Sequence, residues 1–242
     1  MGWGDRMNPA NLFRRNGPIP RNLLTLAMAW VVGCGAPDLS QFDEVRCNTT
    51  GSTNEIAFLD GLNLASKPDY VEMRIVQHFP SGVIGGVMSQ MGEKCSTATD
   101  KAQCEAALAN LGLGSADAFH KRISCSGVNH CWCITSSSYF VTTQGDMLEM
   151  IVGQVDLRKS LGPIDTAQEA VLIAWAMGYD VSCGNKQDGA VRAVSDGYEV
   201  IATKSSSTDP TGCMGQTTRY RYVLHVDRAG TVQETWTETI KR

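Results

Sequence analysis

The chain has 242 residues, of which 21 are lysine or arginine and 25 are aspartate or glutamate, so its formal net charge is −4. This length suits one large domain or two small ones. Binding of nucleic acid is not expected, because it requires a basic patch and no dense lysine or arginine cluster follows the first 33 residues.

The first recognisable element is an uncharged, apolar run over residues 23–34, which follows Arg14, Arg15 and Arg21. It is too short to cross a bilayer, which takes about 20 apolar residues, and it is typical of a secretory signal. Residues 31–34 read Val-Val-Gly-Cys. This ending resembles the lipobox of bacterial lipoprotein precursors, in which the cysteine is lipidated and becomes the first residue of the mature protein.

The resemblance implies three parts: a signal peptide over residues 1–33, a polar tether over residues 34–54 that begins at the lipidated Cys34, and a globular domain over residues 55–242. It also implies a lipid anchor in the outer membrane or at the cell surface, because Gly35 rather than aspartate follows the cysteine. Two alternatives stay open, an ordinary secretory peptide cleaved shortly after this cysteine and an uncleaved helix.

Eight cysteines follow the one in the lipobox, an even number in a chain that its leader sends to an oxidising compartment. Disulfides are therefore predicted. The candidates are Cys47, Cys95, Cys104, Cys125, Cys131, Cys133, Cys183 and Cys213. We favour Cys95 with Cys104 and Cys183 with Cys213, since each pair encloses one short structural unit. Cys47 is placed to attach the far end of the tether to the domain.

The first half of the domain is predicted to contain short helices, a strand and a segment of unusual composition. Residues 81–92 are rich in glycine and methionine, and we expect them to be core or loop rather than a membrane or copper-binding segment. Around them the pattern predicts a short helix over 55–64, an alternating strand from Tyr70 to before Pro80, a helix over 100–111 and a second short helix over 115–121.

The second half is dominated by hairpins. The pattern predicts a hairpin of residues 139–143 with 147–152, a helix from the capping box Thr166–Glu169 to Gly178, a strand over 198–203, a polar loop over 205–211 and a hairpin of 218–226 with 231–239.

These elements predict an α+β fold of antiparallel sheets with helices on one face, held by disulfides. Residues 101–152 and 166–239 share the order helix, cysteines, hairpin, which suggests two similar units over 55–160 and 161–242. A common helix-then-hairpin arrangement would explain this order equally well. The last unit resembles in pattern the small helix-on-curled-sheet domains of the cystatin or PepSY type.

The strongest candidate for a chemical site is His130, Cys131 and Cys133 beside Cys125 and His120. Thiolates and imidazoles at such spacing hold zinc or copper, or form an activated nucleophile. The even cysteine number and the absence of a Cys-x-x-Cys pair favour disulfides instead. We therefore expect neither a metal nor a cofactor.

Other titratable residues carry weaker signals. His78 and His225 lie in strand patterns, where a hydrogen-bonded histidine is the usual reading. Asp146, Glu149, Asp227 and Glu234 are candidates for the paired carboxylates of a hydrolase, but a solvated surface accounts for them as well. The usual catalytic and phosphate-binding motifs do not occur.

The sequence therefore favours a membrane-anchored lipoprotein that binds an envelope protein as an adaptor rather than acting as an enzyme. One alternative is an exported hydrolase with an unrecognised site, and another is a secreted effector or toxin. A deep cleft lined by histidine or acidic residues would favour the enzyme, whereas an apolar patch on a sheet would favour the binder.

Overall fold

A computed structural model describes residues 35–48, 56–111, 118–126, 132–207 and 217–240, except for the side chains of 124–126 and 132. The predicted signal peptide, the lipidation site at Cys34, and His130, Cys131 and Cys213 lie outside the described residues. Residues Pro37–Arg242 form one compact unit.

The fold is α+β and mostly antiparallel, which confirms the predicted class. A 3₁₀ turn over Leu39–Gln41 precedes the main elements. The main elements are β1 (Asp43–Glu44), β2 (Tyr70–Phe79), β3 (Gly82–Gly92), α1 (Lys101–Asn110), β4 (His120–Ser126), β5 (Trp132–Gln144), β6 (Met147–Ile151), α2 (Gln154–Leu161), α3 (Ala167–Ala176), β7 (Ala190–Val194), β8 (Gly197–Ser207), β9 (Thr217–Asp227) and β10 (Val232–Ile240).

The described strands form two antiparallel sheets. The first sheet has the order β3-β2-β5-β4, and β6 also pairs with β5. The 13-residue β5 pairs with β2 on one side and with β4 and then β6 on the other. The second sheet has the order β1-β7-β8-β9-β10. The predicted hairpins β5–β6 and β9–β10 are both present.

Helix α3 lies in the core between the two sheets, where it contacts β7, β8 and β9 of the second sheet and β4 of the first. Every residue from Gln168 to Ala174 is buried, as expected for a helix that is apolar on all sides. The predicted capping box is present, because Thr166 and Glu169 each bond the backbone of the other. Helix α3 therefore begins where its sequence predicts.

Helix α1 caps the first sheet. Asp100 accepts a hydrogen bond from the Gln103 amide and starts the helix, as predicted. The Cys95–Cys104 disulfide joins the helix to the preceding loop, which confirms that pairing. On β2, the buried Arg74 guanidinium donates to the carbonyls of Leu108 and Leu111 at 3.0 Å each. A cation thus satisfies the last carbonyls of α1.

Residues 37–48 of the predicted tether are part of the domain. Phe42 and Val45 are only 1% and 2% exposed, and β1 pairs with β7. Cys47 forms a disulfide with Cys183, so the predicted Cys183–Cys213 pair is wrong. The physical reason is that the pairing of β1 with β7 brings Cys47 to the loop that holds Cys183.

The predicted helix over 55–64 is wrong in its described part. Residues 58–61 form a turn, and Ile56 bridges to Cys47. Side chains of α3 hold this segment by hydrogen bonds. Gln168 donates to the Ala57 carbonyl at 2.7 Å, and Glu169 accepts from the Asn63 amide at 2.9 Å. These two side chains of α3 replace the internal hydrogen bonds of a helix.

The second predicted helix, over 115–121, is also wrong in its described part, because His120 and Lys121 belong to β4 and pair with β5. Residues 115–117 lie outside the described residues. Strands β1, β4 and β7 and helix α2 were not predicted, and neither was strand β3, which occupies the segment assigned to core or loop.

Candidate functional site

Strand β3 lies at an end of the first sheet, and no described strand pairs with its outer edge. It is 11 residues long and contains no charged residue. Three of its apolar side chains are largely exposed, with Val83 at 50%, Ile84 at 64% and Val87 at 47%. A long, uncharged edge of this kind presents backbone N–H and C=O groups that can pair with another strand.

The other edges of the described sheets carry features that oppose such pairing. The edge strand β10 contains Glu234 and Glu238 and is interrupted by a bulge, and β4 exposes Lys121 and Arg122. Strand β6 has five residues and contains Glu149, and β1 has only two residues. Charges, bulges and short length are the usual protection of an edge. Strand β3 has a bulge at Met88, but among the described edge strands it is the long one without a charge, and its residues 82–87 pair regularly with β2.

Glycines set the two ends of β3. The strand begins at Gly82, whose φ of +143° follows the Pro80-Ser81 turn, and it ends at Gly92, whose φ is +84°. A Cβ atom at Gly92 would lie 2.0 Å from the Asp69 carbonyl oxygen, so only glycine fits there. Gly82 permits the turn that leads into β3, and Gly92 permits the close approach of the Asp69 carbonyl. These two glycines therefore fix the positions at which β3 begins and ends.

A buried hydrogen-bond network holds β3 through its neighbour β2. The Tyr70 hydroxyl contacts Glu72 at 2.8 Å and Gln90 of β3 at 2.9 Å, and Glu72 pairs with Arg74. Burial and the neighbouring Glu72 raise the pKa of Tyr70, which therefore remains a neutral phenol. Because Arg74 also binds α1, the edge is supported by the disulfide-linked helix.

A groove of about 420 Å³ runs beside the second half of β3. Its lining consists of Asn48, Ala57, Leu59 and Asp60 on one side and residues 87–90 on the other. The hydroxyl oxygen of Ser89 is buried and has no hydrogen-bond partner among the described residues. The groove therefore offers polar side chains beside the second half of β3, and Val83 and Ile84 offer exposed apolar side chains on the first half. Such a combination suits the binding of an extended peptide.

The structure brings together only part of the predicted cysteine and histidine site. Cys133 is disulfide-bonded, and Cys125 lies directly opposite it in the pairing of β4 with β5. His130 and Cys131 lie outside the described residues. Among the residues that are described, no group of three or more histidine, cysteine or acidic side chains is placed to hold a metal ion.

His120 is a core residue. It is 5% exposed, its ring stacks on Trp175 with centroids 3.7 Å apart, and its Nδ1 lies 2.6 Å from the Trp175 carbonyl oxygen. Burial lowers its pKa, so the imidazole is neutral at pH 7. His225 lies in β9 with Nε2 3.5 Å from Asp196, and His78 lies in β2 opposite Val83.

The four candidate carboxylates are divided between the two sheets. Asp146 accepts from the Thr99 amide and hydroxyl at 2.7 and 2.8 Å, which lowers its pKa. Glu149 lies in β6 of the same sheet. In the second sheet, Asp227 closes the β9–β10 turn, and Glu234 accepts from a tyrosine hydroxyl. The structure therefore does not bring all four together in one site.

The β3 edge was not predicted from the sequence, because an uncharged run rich in glycine and methionine is typical of a core segment as well. The methionine part of that reading is confirmed, since Met88 and Met91 pack against the core. The overlooked signal was a two-residue Pro80-Ser81 turn after a clear strand, which predicts a returning strand.

Comparison of the chain with protein-family models, with curated proteins and with solved structures finds no match in any of the three. Within the described residues, no helix has both the length and the apolar character needed to cross a membrane.

Proposed function

We propose that the protein is exported, lipidated on Cys34 and held at the outer membrane or cell surface, where it binds an envelope protein as an adaptor. The observation that carries the binding role is the exposed, uncharged edge of β3. Its partner contributes an extended segment that pairs with this edge, so that backbone hydrogen bonds give affinity and side chains give selectivity.

The disulfides support export. Cys95–Cys104 is buried in the domain, Cys47–Cys183 joins a partly buried cysteine to a buried one, and such bonds persist in oxidising compartments outside the cytosol. The signal peptide that precedes Cys34 directs this export. Confinement of the protein at a membrane raises the local concentration at which a weak strand-pairing surface meets its partner.

Fractionation of cells that express the Cys34→Ser variant tests the anchor. The unchanged protein is expected in the membrane fraction in processed form, whereas the variant loses both processing and membrane attachment. A variant that is still processed and still sediments with membranes would show that Cys34 carries no lipid.

Photo-crosslinking in cells tests the binding role. A photoreactive amino acid at position 84 of β3 is expected to form a covalent adduct with a protein, whereas the same group at position 123 of β4 forms none. Ile123 is a matched control because it is 69% exposed against 64% for Ile84. Absence of any adduct at position 84, or equal adducts at both positions, would contradict the proposed function.

A further inference from the structure

The exposed part of β3 has a sequence that can pair with itself. Residues 83–87 read Val-Ile-Gly-Gly-Val, so a valine lies two positions before and two positions after Gly85. We propose that the extended segment accepted by β3 is β3 of a second copy of this chain, related by a two-fold axis at Gly85. This inference rests on the proposed function that β3 binds by strand pairing, and it makes the envelope protein that supplies the extended segment a second copy of this chain.

The backbone of β3 is directed correctly for this pairing. The Pro80-Ser81 turn closes on the pair Phe79–Gly82, and a β-turn bonds the first of its four residues to the last. Hydrogen-bonded and non-bonded pairs then alternate along an antiparallel ladder. The N–H and C=O groups of Val83, Gly85 and Val87 therefore point away from β2, toward the edge with which no described strand pairs.

With the axis at Gly85, these three outward residues meet one another. Val83 of each copy lies opposite Val87 of the other, and Gly85 lies opposite its own equivalent. Each of the three facing pairs then exchanges two backbone hydrogen bonds. The bulge at Met88 interrupts the regular pairing with β2 just beyond this run, so the regular stretch that precedes the bulge contains the whole symmetric segment.

The side chains also complement each other. In the same register Ile84 of one copy lies over Gly86 of the other, and a Cβ atom added at Gly86 would have no neighbour within 4 Å. A large exposed side chain therefore faces an open position across the joint.

The absence of charged residues from β3 also favours a second copy of this chain as its partner. An isologous joint always places a strand opposite itself, so any charged residue near the axis would meet its like. Strand β3 contains none, whereas an equivalent pairing of β10 would bring its glutamates together. Self-pairing requires a strand without charged residues, and β3 meets this requirement.

Sedimentation velocity of the purified full chain over a dilution series tests the inference. The unchanged protein is expected to form a concentration-dependent dimer. The Ile84→Lys and Ile84→Glu variants should each raise the dissociation constant by at least about tenfold, because the two introduced charges lie diagonally about 7–8 Å apart across the joint. Both substitutions are at an exposed position, and circular dichroism verifies the fold.

Mixing the two variants gives the decisive result. Lysine on one copy then lies diagonally across the joint from glutamate on the other. The mixture is therefore expected to dimerise at a concentration at which neither variant dimerises alone. The Ile123→Lys variant is the control and should dimerise like the unchanged protein. A monomer at every concentration, a dimer that both variants leave intact, or a mixture that does not associate would overturn the inference.

The two proposals fail separately. A monomeric purified chain whose position 84 still forms adducts with a different protein in cells would refute self-pairing and leave the adaptor role standing. Loss of every adduct at position 84 would refute both.

Discussion

Removal of the Cys47–Cys183 disulfide should destabilise the domain more than removal of Cys95–Cys104. In the chain-entropy description, a cross-link stabilises by restricting the unfolded chain, and its effect grows with the logarithm of the loop that it closes. The sequence separations are 136 and 9 residues. The corresponding contributions are about 5 and about 2.5 kcal/mol at 25 °C.

Such a loss is large against the total stability of a domain, about 5–15 kcal/mol. The long bridge also retains the segment that buries Phe42 and Val45, so its removal releases apolar contacts in addition. The Cys47→Ser/Cys183→Ser double variant should therefore unfold at much lower urea concentration than the Cys95→Ser/Cys104→Ser variant.

Urea unfolding followed by circular dichroism measures both differences, with the slope of each transition as a control on the unfolded state. The slope should increase in the first double variant, because its unfolded chain is released from a long loop. Equal midpoints for the two double variants, or a lower midpoint for the one that lacks Cys95–Cys104, would contradict the entropic argument.

Two further predictions concern buried titratable groups. Glu169→Ala should lower the free energy of unfolding by about 3 kcal/mol, since it removes a helix cap and leaves the amides of Asn63, Asp165 and Thr166 without their acceptor. Glu93→Ala, at a fully exposed ion pair, should leave the urea midpoint almost unchanged. His120 has a lowered pKa in the folded state, so its unfolded form binds the proton first and stability should fall as the pH drops below about 6.5. The His120→Gln variant should show a smaller fall in urea midpoint between pH 7 and pH 5.5, and an unchanged fall would refute the assignment.

Elements whose signals are local were predictable from the sequence. The side chain of Asp100 bonds within the first turn of α1, and the capping box at Thr166 bonds within the first turn of α3, so each starts its helix wherever the helix packs. The same holds for the β9–β10 hairpin, whose turn is closed by Asp227. The Cys95–Cys104 pair belongs to this class because nine residues separate its members.

Contacts between distant segments were not predictable in this way. The helix expected over residues 55–64 competes with hydrogen bonds from Gln168 and Glu169, which lie more than 100 residues away. Cys183 lies 136 residues from Cys47, and its partner was decided by the docking of β1 on β7. A propensity for local structure carries no information about such partners.

The sequence by itself determined the class of the fold, the caps of α1 and α3, and the turns of the β5–β6 and β9–β10 hairpins, because the caps and turns depend on residues within a few positions of one another. Only the tertiary structure decided that β3 is an edge. An uncharged run of valine, isoleucine and glycine is equally compatible with a strand enclosed between neighbours and with one left open, and the difference lies in what packs beside it.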